Sequence, residues 1–276
     1  MSTKSRLTMF SILAIVLVSA PSGRAGDTCY FVAANGNWND DNNWKTACSG
    51  GGDSHMPRDG DHAVICPGKV CNVNTPDARA DSFELQEGTD TPTILKILGS
   101  EALEIDSNSS VASNARVEIA GNGKLKISGS LTLSGSGSVR GLNLTGHIEF
   151  TGTYDLYNTS TIEGAVQINH ATEAGAFGLI NDGLVHANHT TGGIAAQTLL
   201  LRDGTFRWSG EYKVSNHSDA RLYLWSGIDD TGLAAKITVA NGHLRLEENV
   251  TTTGHLTFTG GEITVTGSHT LTAGSP

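Results

Sequence analysis

Proline is scarce, with six residues in 276, and aromatic side chains make up only 6% of the chain. Charged residues stop at 17%, and the 18 Lys and Arg are outnumbered by 28 Asp and Glu. With no basic excess, nucleic acid and anionic lipid are poor partners. No apolar run is long enough to span a bilayer. The longest, Met9–Ala20, falls short of the about 20 residues a spanning helix needs. Beyond it no stretch keeps an apolar period of 3.6 residues through two turns, which argues against a helical fold. No Cys-x-x-Cys pair occurs among the four cysteines, which speaks against a zinc finger.

What is there instead is glycine, 34 residues, with abundant Ser and Thr and short apolar–x–apolar triplets. That composition belongs to an all-β chain with many turns. At the start, Lys4 and Arg6 precede the apolar run, and Gly23-Arg24-Ala25 offers small residues. The pattern is that of a secretory signal spanning 1–25. Its loss removes Lys4, Arg6 and Arg24 and leaves the chain three charges more negative than the precursor's −10. Such a surface still accommodates neutral glycans.

The triplets recur. Leu125, Ile127, Leu131, Leu133 and Val139 map onto Leu142, Leu144, Ile148, Phe150 and Leu156 with an offset of 17, and Ile162–Ile168 follows Leu144–Phe150 at 18. Near the C-terminus the period is 19: Ile237–Leu246 maps onto Leu256–Val265, and Leu199–Trp208 stands two such periods earlier. Alternate side chains of a strand face opposite sides, so the outer pair of each triplet points inward and the middle one outward. Asn-Gly and Asp-Gly pairs supply corners with positive φ. Coils of 17 to 21 residues, each with about three strands, then stack in parallel around a dry interior. The expected fold is a single-stranded right-handed parallel β-helix. It comprises an N-terminal disulfide-containing cap over 26–76 and a solenoid over 77–276, with outgrowths near 169–198 and 209–221.

The opening segment carries a family resemblance. Trp38, Asn43-Trp44, Pro57, Gly60-Asp61, Val64-Ile65 and Gly68 occur in order. Over roughly 38–105 this is similar to the start of many secreted bacterial β-helix proteins. It also resembles the eight-glycine extracellular domain of hyaluronan-processing and fibrocystin-type proteins. The resemblance implies a parallel β-helix in a secreted or surface protein, and no particular reaction. The four cysteines, Cys29, Cys48, Cys66 and Cys71, are not part of that pattern. Secretion and an even count favour disulfides. The tight turn Pro67–Val70 favours pairing Cys66 with Cys71, which leaves Cys29 for Cys48. Trp38 and Trp44 are expected to cover the end of the core.

Catalytic signals are thin. Asp229-Asp230 sits in a turn, but the Gly-His-Gly and Arg-x-Lys signatures of polygalacturonases are missing. Asp53, Asp59 and Asp61 read as turn formers rather than a calcium loop, and the ten histidines are scattered. No catalytic set, metal site or cofactor is therefore assigned. The best ligand site is aromatic. In Leu222–Trp225 the leucines hold the inward phase and Tyr223 and Trp225 face out together, about 6–7 Å apart. Tyr212, Arg207 and Arg245 join them as a candidate glycan-binding set. Six Asn-x-Ser/Thr sequons, at Asn108, Asn143, Asn158, Asn188, Asn216 and Asn249, matter only in a host that glycosylates. The expected function is a secreted or cell-surface β-solenoid in adhesion or extracellular structure. Its partners would be an extracellular polysaccharide or surface glycan, and a second copy end to end through the C-terminal coil. The alternative is a polysaccharide lyase or glycoside hydrolase on the same scaffold.

Overall fold

The computed structural model describes residues 26–172, 177–188, 198–201, 205–208, 210–215, 217–225, 228–229 and 236–274. The expected signal segment lies outside them. The described residues form a β-solenoid. Each regular coil contributes one strand to a 12-stranded sheet and two strands to a 17-stranded sheet, as Ser109–Val111, Ala115–Ile119 and Lys124–Ile127 do. Neighbouring coils pair in parallel, which requires a full coil between partners.

The core is built on columns of register-paired residues, three of which follow. In the 12-stranded sheet one runs Leu131, Leu156, Leu179, Phe206, Ile228, Val250, Leu271. In the larger sheet one runs from Cys71 and Leu95 through Val117, Val139, Ile162, Val185 and Tyr212 to Ile237 and Leu256. A second runs Leu103, Leu125, Ile148, Ile168, Leu201, Leu224, Leu246, Val265. In the interior coils, apolar side chains stacked on themselves at strand spacing exclude water from the core.

The coil length departs from the 17-residue reading. Leu125 sits under Ile148, 23 residues on, and Leu131 under Leu156. The 17-residue match overlays strands that belong to different columns, because every face carries the same apolar–x–apolar pattern. The 18-residue step fails likewise: Ile168 stacks on Ile148 and Ile162 on Val139. The 19-residue step holds, with Ile237 on Leu256 and Leu244 on Ile263. Its corners also hold: Gly242 and Gly261 take φ of +112° and +94°, where only glycine is comfortable. Leu199, however, stacks on Leu222 and through it on Leu244, so Leu199–Trp208 is not in the register the 19-residue period assigns.

The coils begin early. Thr28–Phe31 already pairs in parallel with His62–Ile65. Its other edge is closed by Trp44–Lys45, which runs antiparallel to it. Trp38 and Trp44 are buried, with ring centroids 5.0 Å apart and nearly perpendicular, and Phe31 meets Trp44 edge-on at 5.2 Å. The Trp44 indole N–H donates to the Trp38 carbonyl at 2.8 Å. One disulfide is present, Cys48–Cys66, with Cα atoms 5.6 Å apart. It replaces the expected pairs Cys66–Cys71 and Cys29–Cys48. Cys29 and Cys71 are buried thiols in the inward phase of their strands. Cys71 is committed to a core column, and the Cys29 thiol faces Ser54, His55 and Asp61 rather than Cys48.

Within the expected outgrowths, Gly178–Asn181, Leu184–Ala187 and Glu211–Val214 are ordinary coil strands. Residues 173–176 and 189–197 lie outside the described set. No described helix is long and apolar enough to cross a membrane.

Candidate functional site

The aromatic patch is built as the alternation predicts, with two of its members elsewhere. Leu222 and Leu224 are buried in Arg221–Leu224, and Tyr223 between them is half-exposed on the outer face. Trp225, just past the strand, is 42% exposed. Arg245 is the register partner of Tyr223, and its guanidinium carbon lies 5.5 Å from the Tyr223 ring centroid. That distance suits a cation over an aromatic face. Arg221 donates from Nη1 to the Tyr223 hydroxyl at 3.3 Å, and Glu247 holds the Arg245 Nε at 2.5 Å. The surface thus presents one ring fixed by two cations, with a second ring beside it.

Tyr212 does not belong to this patch. It occupies the core column between Val185 and Ile237 and is fully buried. Burial pushes its hydroxyl far above the ordinary tyrosine range. Arg207 lies on Thr205–Trp208 in the 12-stranded sheet, not on the sheet of Tyr223 and Arg245. Both misplacements follow from the register error at Leu199–Trp208 and from reading Glu211–Val214 as a loop.

A second cluster was not visible as a motif. Asp61, Asp81 and Asp106 occupy the same corner of successive coils. The Asp81 N–H donates to the Asp61 carbonyl at 2.7 Å and the Asp106 N–H to the Asp81 carbonyl at 3.1 Å. Ser107 donates from its hydroxyl to Asp81 Oδ1 at 2.9 Å. Burial, then a hydrogen bond to Asp81 and the Asp81 charge, push the Asp106 carboxyl above the usual carboxylate value. Alongside, Arg79 bridges Asp59 at 3.2 Å and Glu104 at 3.8 Å. The sequence signal was an Asp just before a coil strand, at Asp61-His62 and Asp81-Ser82, spaced a coil apart rather than a few residues apart. Of the Asp229-Asp230 pair, Asp229 lies in a short coil strand and Asp230 is outside the described residues.

The third cluster sits at the N-terminal end. Asp53 pairs with Lys45 and Asp59 with Arg79, so neither converges with Asp61. The Asp61 side chain is 10% exposed and turns inward. Its Oδ1 accepts from the Asp27 N–H at 2.9 Å, and its Oδ2 accepts from the Arg58 N–H at 3.0 Å and meets His55 Nε2 at 2.9 Å. Burial raises the Asp61 carboxyl, but these three donors outweigh it and hold the group below the ordinary range. The Cys29 thiol is in the same place: Cys29 Sγ, a His55 ring nitrogen and an Asp61 oxygen lie within 4.8 Å of one another. Burial raises the thiol above its ordinary value. A cavity of about 350 Å³, lined by Asp27, His55, Arg58, Asp59 and Asp61, opens onto this group.

No protein-family model, curated protein or solved structure matches the chain.

Proposed function

We propose that this β-solenoid is a secreted or cell-surface protein of adhesion or extracellular structure, and that the Tyr223 patch is its glycan-binding surface. The observation that carries the reading is the outward pair of rings, Tyr223 and Trp225, with Arg221 and Arg245 against the first. Aromatic faces stack on the apolar faces of pyranose rings, and guanidinium donors satisfy sugar hydroxyls. The disulfide suits an oxidising compartment. Glycan-array and polysaccharide pull-down measurements test the reading. Binding that falls at least tenfold in a Tyr223→Ala, Trp225→Ala double variant supports it, and absence of binding to every glycan sinks it.

A second reading, hydrolysis or elimination on the same scaffold, is favoured by the Asp81–Asp106 pair. Two neighbouring carboxyls, one of them with a raised pKa, are the raw material of acid–base catalysis. Release of reducing ends or unsaturated products from uronate and neutral polymers, abolished by Asp106→Asn, would establish it; silence across the panel removes it.

Self-association is supported by the last described coils. Phe258 and Val265 follow Val239 and Leu246 in the core columns, yet are 52% and 37% exposed. Exposed apolar residues beside strand edges that have no partner among the described residues favour a partner. Sedimentation of the wild type against Phe258→Ser reads this directly. A wild type that stays monomeric at high concentration ends the idea.

A further inference from the structure

We infer that Cys29, His55 and Asp61 form a binding site for a divalent cation of borderline softness, the zinc class, which clips the segment 54–61 onto the first coil. The proposal is independent of the glycan reading. One thiol, one imidazole and one carboxylate within 4.8 Å of one another make a mixed S, N, O donor set. Such sets select zinc-like ions over calcium or magnesium, which take oxygen alone. With Zn–S near 2.3 Å and Zn–N near 2.0 Å, the ligand atoms of a tetrahedral site stand about 3.5 Å apart. The His55–Asp61 contact, at 2.9 Å, is already shorter than that, so the ion requires a modest opening there, while the thiol lies within 4.8 Å of both partners.

The three residues come from places that otherwise share little. Cys29 is in the first coil strand and is fully buried. His55 and Asp61 bracket the loop that covers it, held by Met56, which packs on the core, and by the Asp61 hydrogen bonds. The fit in charge is close: a thiolate and a carboxylate neutralise a dication, so the ion is buried without net charge. Binding releases the Cys29 proton to solvent and leaves the fourth position to water from the adjoining cavity. It also gives a role to one of the two free thiols, Cys29, beside the oxidised Cys48–Cys66 pair. Ser54 Oγ, 3.5 Å from Cys29 Sγ, supplies an outer hydrogen bond to the sulfur.

The test is titration of the full chain, disulfide intact, with Co²⁺ as the spectroscopic stand-in and Zn²⁺ as competitor. The expected result is one Co²⁺ per chain with a thiolate-to-cobalt charge-transfer band that Zn²⁺ erases. The band should vanish in Cys29→Ser and persist in Cys71→Ala. Because Cys29 is a core residue, the half-exposed His55→Gln provides a variant that leaves the core alone. It should weaken Co²⁺ at least tenfold and abolish the rise in unfolding temperature that Zn²⁺ gives the wild type. No band in the wild type overturns the proposal. So does a band retained in Cys29→Ser, Zn²⁺ binding unchanged in His55→Gln, or the absence of free thiols in the denatured protein.

Discussion

The two ends of the described solenoid are finished differently. At the N-terminal end an antiparallel strand closes the sheet edge, Trp38 and Trp44 cover the core, and Cys48–Cys66 ties the covering loop to the second coil. At the other end of the described residues, Leu256, Phe258, Ile263 and Val265 hold the same columns as buried residues one coil earlier, but are themselves half or largely exposed. The difference teaches that a solenoid's repeat accounts for its middle only. Each interior coil buries its apolar residues because it has neighbours on both sides. An end has one neighbour, so its burial must come from residues outside the repeat.

The contrast can be broken most forcefully at the covered end. Trp44→Ala removes a fully buried indole, its two ring contacts and its hydrogen bond. It should destabilise by about 3–5 kcal/mol, seen as loss of hydrogen-exchange protection concentrated in 28–73. Replacing Cys48 and Cys66 by Ser opens a loop of sequence separation 18. It should cost about 3 kcal/mol in thermal or denaturant unfolding. The column Leu222, Leu244, Ile263 then gives an internal scale. Leu244→Ala, in an interior coil, should cost about 2–5 kcal/mol, whereas Ile263→Ala, its neighbour at the exposed end, should cost about 1 kcal/mol or less. Equal losses would mean that the open end is covered in solution.

Acid sharpens the comparison further. The Asp61 carboxyl lies below its ordinary value of 3.8. Its stabilising contribution is complete above that pH and is lost as pH falls through the lower folded value. Unfolding of the N-terminal end should therefore acquire an acid limb below pH 4 that Asp61→Asn removes, with no change at the other end. Asp106 has the opposite sign. Its carboxyl is raised, so protonation of Asp106 favours the fold below pH 3.8 and that benefit disappears as pH rises through the raised value. Asp106→Asn should gain a few tenths of a kcal/mol at pH 7, after solvent screening, and nothing at pH 3.

Composition and the strand alternation were enough for an all-β chain of stacked parallel coils. They also placed Tyr223 outward between Leu222 and Leu224, and identified the 19-residue step from Ile237–Leu246 to Leu256–Val265. Those features are local or strictly periodic, so neighbouring residues carry them. The column to which a triplet belongs was not legible, because all faces share one pattern. Leu125 could be matched to Leu142 in sequence, while hydrogen bonding matched it to Ile148. From that ambiguity came the grouping of Arg207 with Arg245, whereas Tyr212 entered the patch because 209–221 reads in sequence as a lengthened coil. The disulfide was illegible for a related reason: spacing favoured Cys66 with Cys71, but inward phase had already committed Cys71 to the core.

By itself the sequence determined what must be buried, what must turn and that the coils stack, since these follow from side-chain chemistry and a period of two. Tertiary structure alone decided register, and with it every contact between residues a coil apart. Asp81 beside Asp106, Tyr223 under Arg245, and Cys29 with His55 and Asp61 exist because hydrogen bonds between coils fix which residues stand above one another. No local preference along the chain encodes that choice.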